Sequence, residues 1–215
     1  MSKSKPVADA KDTILLAALP HVAFDGWSMT ALEAGTADAG LAKADLLHAF
    51  PGGIADAITH WSDFADRKAV QAMQAADMAH LRTHQRVAMG VWARLEAMGR
   101  WRDAARKATA WLAVPRHALL ATRLAYRTCD AIWRAAGDTS TDFNFYTKRA
   151  LLSGVVLSTT LYWLQDSSEG NQASSAFLDR RIAEVLRIGG HIGKARAALD
   201  GFDPVGLLRR FRPSA

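Results

Sequence analysis

The spacing of the apolar residues is the feature that most constrains how this chain folds. Apolar residues recur every three or four positions, and no stretch alternates apolar and polar residues as a half-buried strand would. Residues 12–23 show the pattern first, where Ile14, Leu15, Ala18 and Val22 share one helix face. Ala, Leu, Arg and Met are frequent, and these residues favour helix over sheet. We therefore predict an all-α protein.

Glycines, prolines and polar loops divide this pattern into successive helices. Residues 1–10 are polar and are predicted to be a disordered tail with no secretory signal peptide. Polar loops are expected at residues 137–142 and 166–174. Beyond the first 41 residues, the predicted helices cover residues 42–50, 54–73, 75–98, 101–112, 116–136, 143–165, 175–198 and 203–212.

Residues 11–53 have the outline of a helix-turn-helix. Two short helices flank the glycine-containing turn at residues 39–41. Either Ser28 or Thr30 is predicted to cap the first of these helices, and proline and glycine end the second. Such an outline is typical of DNA-binding regulators, so its charge has to be considered.

The distribution of charge argues against DNA binding by this region. Residues 1–60 have four lysines against seven acidic residues, a net charge of −3, whereas the whole chain has a net charge of +6. The third helix offers Lys43, Asp45 and His48, but a recognition helix must gather cations for phosphates and Arg, Lys or amide groups for base edges. We predict that these helices are scaffold and that no nucleic acid is bound. A DNA-binding transcriptional regulator is the alternative.

Residues that could support catalysis or bind a metal form no complete set. His80 and His84 are spaced to share a face of the predicted 75–98 helix, with Asp77 one turn earlier. The chain has only four glutamates, and they do not stand where a helical di-iron site needs them. Nucleophile and nucleotide motifs are missing, and Cys129 in an apolar helix is predicted to be a small buried hydrophobe. We predict no enzyme activity, no metal and no cofactor.

Seven tryptophans and an uncharged segment, residues 150–165, could form either a filled core or the wall of an apolar cavity. Composition does not separate these two alternatives. The segment is shorter than the about 20 residues that a membrane-spanning helix needs. Because it has no charged residues, it is predicted to be a helix buried in the protein. If a cavity exists, the candidate lipid-binding residues are Trp92, Trp111, Trp133, Leu151, Val155 and Trp163.

The C-terminal segment, residues 203–213, combines apolar and cationic side chains in a short predicted helix. Asp203 and Pro204 suit its first positions. Two alternatives stay open, an amphipathic helix lying in a membrane interface and a helix docked on the protein body. For the first alternative, the membrane-binding residues are Leu207, Leu208, Arg209, Arg210, Phe211 and Arg212.

A sequence signature at residues 137–149, GDTSTDFNFYTKR, resembles that of the ninth Coq protein family, accessory proteins of ubiquinone biosynthesis. The similarity continues through LQDSS at residues 164–168 and FLDRRI at residues 177–182. It is strongest over residues 101–187, and the N-terminal third is TetR-like. The departures are Phe145 where the family commonly has Trp, and Leu47 and Gly53 where the TetR-like pattern usually has Tyr and Lys.

The resemblance implies a TetR-like helical fold, a homodimer and no catalytic activity. It implies that residues 54–200 bind an isoprenoid or quinone-like lipid and form the dimer, and that residues 203–213 bind the membrane surface. The lipid would be a ubiquinone precursor presented to a ring hydroxylase of the pathway. The hydroxylase-binding patch would include Asp142, Phe145 and Tyr146. A purely structural scaffold of a biosynthetic complex is a further alternative. We expect a bacterial cytoplasmic protein, peripheral to the inner membrane.

Overall fold

A computed structural model describes the backbone of residues 7–139 and 143–200, and the side chains of residues 10–139 and 146–188. Within these ranges the secondary structure is helical, with short 3₁₀ turns at Pro115–His117 and Glu169–Asn171, and the predicted all-α class is confirmed. The helices are α1 (Val7–Asp25), α2 (Met29–Asp38), α3 (Lys43–Ala49), α4 (Ile54–Ala75), α5 (Thr83–Gly99), α6 (Arg102–Leu112), α7 (Ala118–Ala135), α8 (Phe143–Trp163) and α9 (Gln172–Asp200).

The first three helices form the predicted helix-turn-helix region. Of the two predicted caps for α2, the structure uses Ser28, whose hydroxyl accepts a hydrogen bond from the Ala31 amide at 3.1 Å. Helix α1 crosses α2 so closely that a Cβ placed on Gly35 would lie 2.4 Å from the Ala18 Cα. The Trp27 indole donates a hydrogen bond to the Ala104 carbonyl at 3.0 Å and joins this region to α6. The lack of a side chain at Gly35 therefore sets how closely α1 and α2 pack.

Helix α1 begins earlier than predicted. Residues 7–10 are helical, so the predicted disordered tail of residues 1–10 is wrong over its last four positions. The structure of residues 1–6 is outside the described ranges, as is the predicted terminal helix at residues 203–212.

The largest difference from prediction is the length of the break between α4 and α5. The sequence predicts helices over residues 54–73 and 75–98, whereas residues 76–82 form a connecting segment and α5 begins at Thr83. An Asp77 carboxylate oxygen accepts a hydrogen bond from the Ala79 amide at 3.0 Å, and the Gln85 side chain accepts one from the Arg82 amide at 2.9 Å. These side chains provide local alternatives to continued helix. His80 and His84 therefore do not share a helix face.

The larger part of the fold packs α4, α5, α7, α8 and α9 around a second apolar cluster. Met73, Ile132, Leu152 and Leu178 belong to it. Gly90 lies where α5 approaches its neighbours, because a Cβ there would be 2.7 Å from the Met73 Sδ. Helix α8, predicted to be buried, is buried on one face only. None of the described helices has the length and apolar character needed to cross a membrane.

Candidate functional site

A cavity of about 410 Å³ lies among helices α4 to α8. Its size falls within the range of pockets that bind small molecules. Most of the lining is apolar, and its apolar residues are Ile58, Trp61, Met98, Ala105, Ala108, Leu112, Ala113, Ala121, Leu124, Ala125, Val156, Leu157 and Leu161. The structure thus decides between the two sequence alternatives in favour of a hollow core.

One end of the cavity is open to the surface. Leu157 and Leu161, one helical turn apart on α8, line the cavity and are 57% and 43% exposed. Ala113 at the end of α6 also lines the cavity and is exposed. The cavity is therefore accessible from the surface beside α8.

The buried part of the lining carries a polar cluster made by α4, α5 and α7. The Arg94 Nε donates to an Asp66 carboxylate oxygen at 2.7 Å, and the Arg94 Nη2 donates to the Ser62 hydroxyl at 3.2 Å. The Thr128 hydroxyl lies 3.0 Å from both Asp66 carboxylate oxygens. Ser62, Arg94 and Thr128 line the cavity. The ion pair between Arg94 and Asp66 makes this cluster neutral overall.

Cys129 lies beside the polar cluster, but its thiol is unreactive. Its thiol is buried, as predicted, and contacts the Ser153 hydroxyl at 3.2 Å. Burial raises the pKa of the Cys129 thiol to about 11, because the thiolate is poorly solvated there. The thiol is therefore protonated at neutral pH and is a poor nucleophile.

None of the six residues predicted to bind lipid belongs to the described lining of the cavity. Trp92 and Trp133 pack against the second apolar cluster, and Val155 belongs to it. Trp111 stacks on His117, with ring centroids 3.4 Å apart. Trp163 is buried beneath the Arg102 guanidinium, which lies 4.6 Å from the ring centroid. Leu151 is half-buried on α8. Their role in lipid binding stays a prediction.

The lining residues that the sequence analysis missed include Trp61, Arg94 and Thr128. A signal for the polar cluster was available. Asp66 stands on the face of α4 that also carries Trp61 and Ala69, and a charged residue on an apolar face needs a buried partner. The sequence alone could not identify that partner on α5.

Ion pairs at the signature, residues 137–149, form what we call the clamp. Its members are Asp130, Asp138, Lys148 and Arg149. The Arg149 guanidinium contacts an Asp130 carboxylate oxygen at 2.7 Å and an Asp138 carboxylate oxygen at 3.4 Å. The Lys148 Nζ contacts the other Asp138 oxygen at 2.7 Å. Arg149 and Asp138 are almost fully buried, with 2% and 4% of their side chains exposed. The clamp therefore holds the end of α7 against the start of α8.

The predicted hydroxylase-binding patch lies beside this clamp. Tyr146 is 65% exposed near the start of α8. Asp142 and the side chain of Phe145 are outside the described residues, as are the predicted membrane-binding residues 207–212. The patch as a partner-binding surface stays a prediction.

Lys43 and Asp45, two of the three polar residues singled out on the third helix, are engaged within the protein. The Lys43 Nζ pairs with a Glu33 carboxylate oxygen at 2.7 Å, and an Asp45 carboxylate oxygen accepts a hydrogen bond from the Ala42 amide at 2.8 Å. Among the described residues, no three His, Cys, Asp or Glu side chains are grouped as metal ligands.

Comparison with known proteins gives the same fold and a family. The crystal structure of a TetR transcriptional regulator from Nitrosomonas europaea superimposes with a TM-score of 0.68 and 20% identity, over 82% of this chain and 97% of that one. Residues 118–189 match the family model described as COQ9. That segment contains α7, the clamp, α8 and most of α9.

Curated relatives named ubiquinone biosynthesis protein COQ9, mitochondrial, are similar over most of the chain. The rat protein is 31% identical over 82% of this chain, and the Drosophila melanogaster protein is 29% identical over 87%. A Xenopus laevis relative, COQ9-A, is 32% identical over 82% of this chain. The matches span 58% of the rat and fly relatives' own lengths.

The fold and the cavity define an all-α protein with a TetR-like architecture and a hollow, largely apolar core. The signature and the matched segment, residues 118–189, place the chain in the COQ9 family, and the resemblance predicted from the sequence is confirmed. The predicted location in a bacterial cytoplasm, peripheral to the inner membrane, is contradicted, because the relatives from rat, fly, cow and human are named mitochondrial proteins. The composition of the chain and its polar opening residues were too general to decide a location.

Proposed function

We propose that this chain is a non-catalytic, lipid-binding accessory protein of ubiquinone biosynthesis. It would hold an isoprenoid or quinone-like lipid in the cavity and present a ubiquinone precursor to a ring hydroxylase. The observation that carries the proposal is the apolar cavity of about 410 Å³ with an apolar opening at Leu157 and Leu161. Family membership supplies the pathway, since the relatives are named for ubiquinone biosynthesis.

The free energy of hydration supports a lipid carrier in such a pathway. Each CH₂ group transferred from an apolar site to water costs about 0.8 kcal/mol, so a polyprenyl tail does not leave a bilayer unassisted. An apolar cavity with a surface opening removes that cost during transfer. The protein then raises the local concentration of substrate at a bound enzyme.

A non-catalytic role agrees with the chemistry of the cavity. Its described lining contains no His, Cys, Asp, Glu or Lys. The charged lining residue is Arg94, which is already paired with Asp66. Arginine does not give up its proton at physiological pH, so it supports binding rather than proton transfer.

The lipid-binding step is tested by mass spectrometry of lipids extracted from the purified protein. The variant Ala125→Phe places a ring in the cavity, whereas Ala118→Phe places the same ring on the exposed start of α7. We expect isoprenoid lipid in the wild type and in Ala118→Phe, and severalfold less in Ala125→Phe. Equal lipid content in the two variants, or none in the wild type, would contradict the proposal.

The presentation step is tested by association with the pathway's hydroxylase. Tyr146→Ala removes an exposed aromatic ring from the predicted patch, and Tyr126→Ala removes an exposed ring from α7 outside it. We expect only the first variant to weaken association in a pull-down. Weakening of equal size in both variants would argue against the patch.

Membrane association is tested separately, because it depends on residues 203–215. Three arginines beside Leu207, Leu208 and Phe211 suit an anionic lipid surface. We expect removal of residues 203–215 to lower sedimentation with anionic liposomes. Unchanged sedimentation would show that another surface is responsible.

Homodimer formation is supported by exposed apolar residues on α9. Leu186 and Ile188 are each more than 40% exposed. Light scattering with size-exclusion chromatography measures the mass directly. A monomer mass at micromolar concentration would count against the dimer.

A further inference from the structure

A site that binds only hydrocarbon would not need the polar cluster that lies within the cavity. Asp66, Arg94 and Thr128 are buried or nearly so, and removing such groups from water costs free energy that a purely apolar wall would avoid. Asp66 and Arg94 form an ion pair, yet Arg94 is also one of the residues that line the cavity. The wall at this point offers hydrogen-bond donors to whatever occupies the cavity.

The donors of Arg94 are incompletely used by strong acceptors. A guanidinium has five N–H groups. One is directed at Asp66, one at the Ser62 hydroxyl, and one at the Met98 Sδ at 3.7 Å. A thioether is a weak acceptor, and Met98 is itself a lining residue. A ligand oxygen near Met98 would accept a stronger hydrogen bond from Arg94 than the sulfur does.

The two ends of the cavity differ in their polar groups and in their exposure to solvent. Trp133 contacts Lys148 and Cys129 contacts Ser153, so α7 and α8 run antiparallel. The Thr128 level is therefore that of Ser153, where the polar cluster lies. On α8 the lining continues from Ser153 to Leu161, a distance of about 12 Å at the helical rise per residue. Thr128 is 2% exposed and Leu161 is 43% exposed, so the end with the ion pair is buried. The open end, where Leu157, Thr160 and Leu161 lie, has no charged lining residue.

The charge of the cluster selects the ligand class. Arg94 and Asp66 form a neutral pair, with 12% and 10% of their side chains exposed. A carboxylate or phosphate placed beside this pair would leave an uncompensated buried negative charge. A neutral oxygen acceptor, such as a quinone carbonyl or a ring methoxy group, adds a hydrogen bond without adding charge.

We propose that Arg94, assisted by Ser62, forms a headgroup subsite that binds the neutral, oxygen-bearing ring of an amphiphile with its apolar tail leading out past Leu157 and Leu161. This inference rests on the proposed lipid-binding function and adds to it the residues that bind the headgroup and the orientation of the lipid. The ring lies deep in the cavity and the tail lies at the opening.

Isothermal titration calorimetry with matched ligands tests the subsite in the full-length protein. The probes are ubiquinone with a two-isoprene tail, geranylbenzene, which has the tail and ring without oxygens, and a fatty acid of similar length. A hydrogen bond to a charged group corresponds to about tenfold to hundredfold in affinity. We expect the quinone to bind at least about tenfold more tightly than geranylbenzene, and the fatty acid no more tightly than geranylbenzene.

The double variant Arg94→Met/Asp66→Leu removes the subsite without leaving a buried charge. We expect it to bind geranylbenzene as the wild type does and to lose the preference for the quinone. Equal affinity of the wild type for quinone and geranylbenzene overturns the subsite while leaving lipid binding intact. A preference that survives in the double variant, or tightest binding of the fatty acid, also overturns it. If the wild type binds none of the probes, the proposed function itself fails. Should the double variant not fold, the wild-type ligand series decides.

Discussion

Replacing Arg149 should show how much more free energy a buried ion pair contributes to folding than an exposed one. Its guanidinium is 2% exposed and contacts Asp130 and Asp138, the latter 4% exposed. Arg149→Met keeps much of the side-chain volume but leaves two carboxylates without that partner. Removing one member of a buried ion pair costs about 3–5 kcal/mol. For a chain of this size that corresponds to a fall in Tm of about 6–20 °C.

Arg134→Met is the matched control, because Arg134 contacts the same Asp130 carboxylate at 2.8 Å. Its side chain is 71% exposed, so water screens the pair. Exposed pairs contribute about 0–1 kcal/mol. Urea denaturation followed by circular dichroism measures both variants, and an unchanged m-value indicates that the same two states are compared. If the two variants lose the same free energy of unfolding, the clamp does not act as a buried network.

Four further perturbations test other parts of the structure. Gly35→Ala should lower the free energy of unfolding by about 1–3 kcal/mol, because its Cβ would overlap the α1 backbone. Gly154→Ala, where a Cβ meets nothing within 4 Å, should raise it by about 0.5–1 kcal/mol; the reverse order in thermal melts would refute the packing argument. Cys129, with its thiol pKa raised to about 11, should react with iodoacetamide far more slowly at pH 8 in the folded protein than in urea; equal rates would contradict its burial. Hydrogen bonds from Ser174 and Ser168 depress the pKa of Asp166, so its stabilising contribution is present above the ordinary Asp pKa of about 4 and is lost as pH falls below it. The Tm difference between wild type and Asp166→Ala should therefore shrink below that pH, and a difference independent of pH would contradict the assignment.

Local periodicity was sufficient to locate most helices. Helices α6 and α7 begin within two residues of their predicted starts, because Gly99 and Pro115 mark their boundaries in the sequence. A break between α4 and α5 was predicted at residue 74, but its length, residues 76–82, was missed because that segment lacks both glycine and proline. Side-chain hydrogen bonds by Asp77 and Gln85 accompany that break. Such bonds compete with helix formation, but Asp and Gln in a sequence are only weak signals that a helix ends.

The cavity could be anticipated only as one of two alternatives. Apolar residues on helix faces predict burial, but a filled core and a hollow one need the same residue types. Trp92, Trp111, Trp133 and Trp163 were plausible wall residues by composition, and the helix crossings instead place Trp61 in the wall.

The sequence by itself determined the helical class, the family through its signature at residues 137–149, and the unfavourable charge for DNA binding in the N-terminal region. These properties depend on residue type and on spacing within one segment. The tertiary structure decided that the core is hollow, that Arg94 meets Asp66 within it, and that Arg149 clamps the signature loop. Each of these depends on where helices distant in sequence cross, and the crossing positions are set by close packing of side chains from several segments at once.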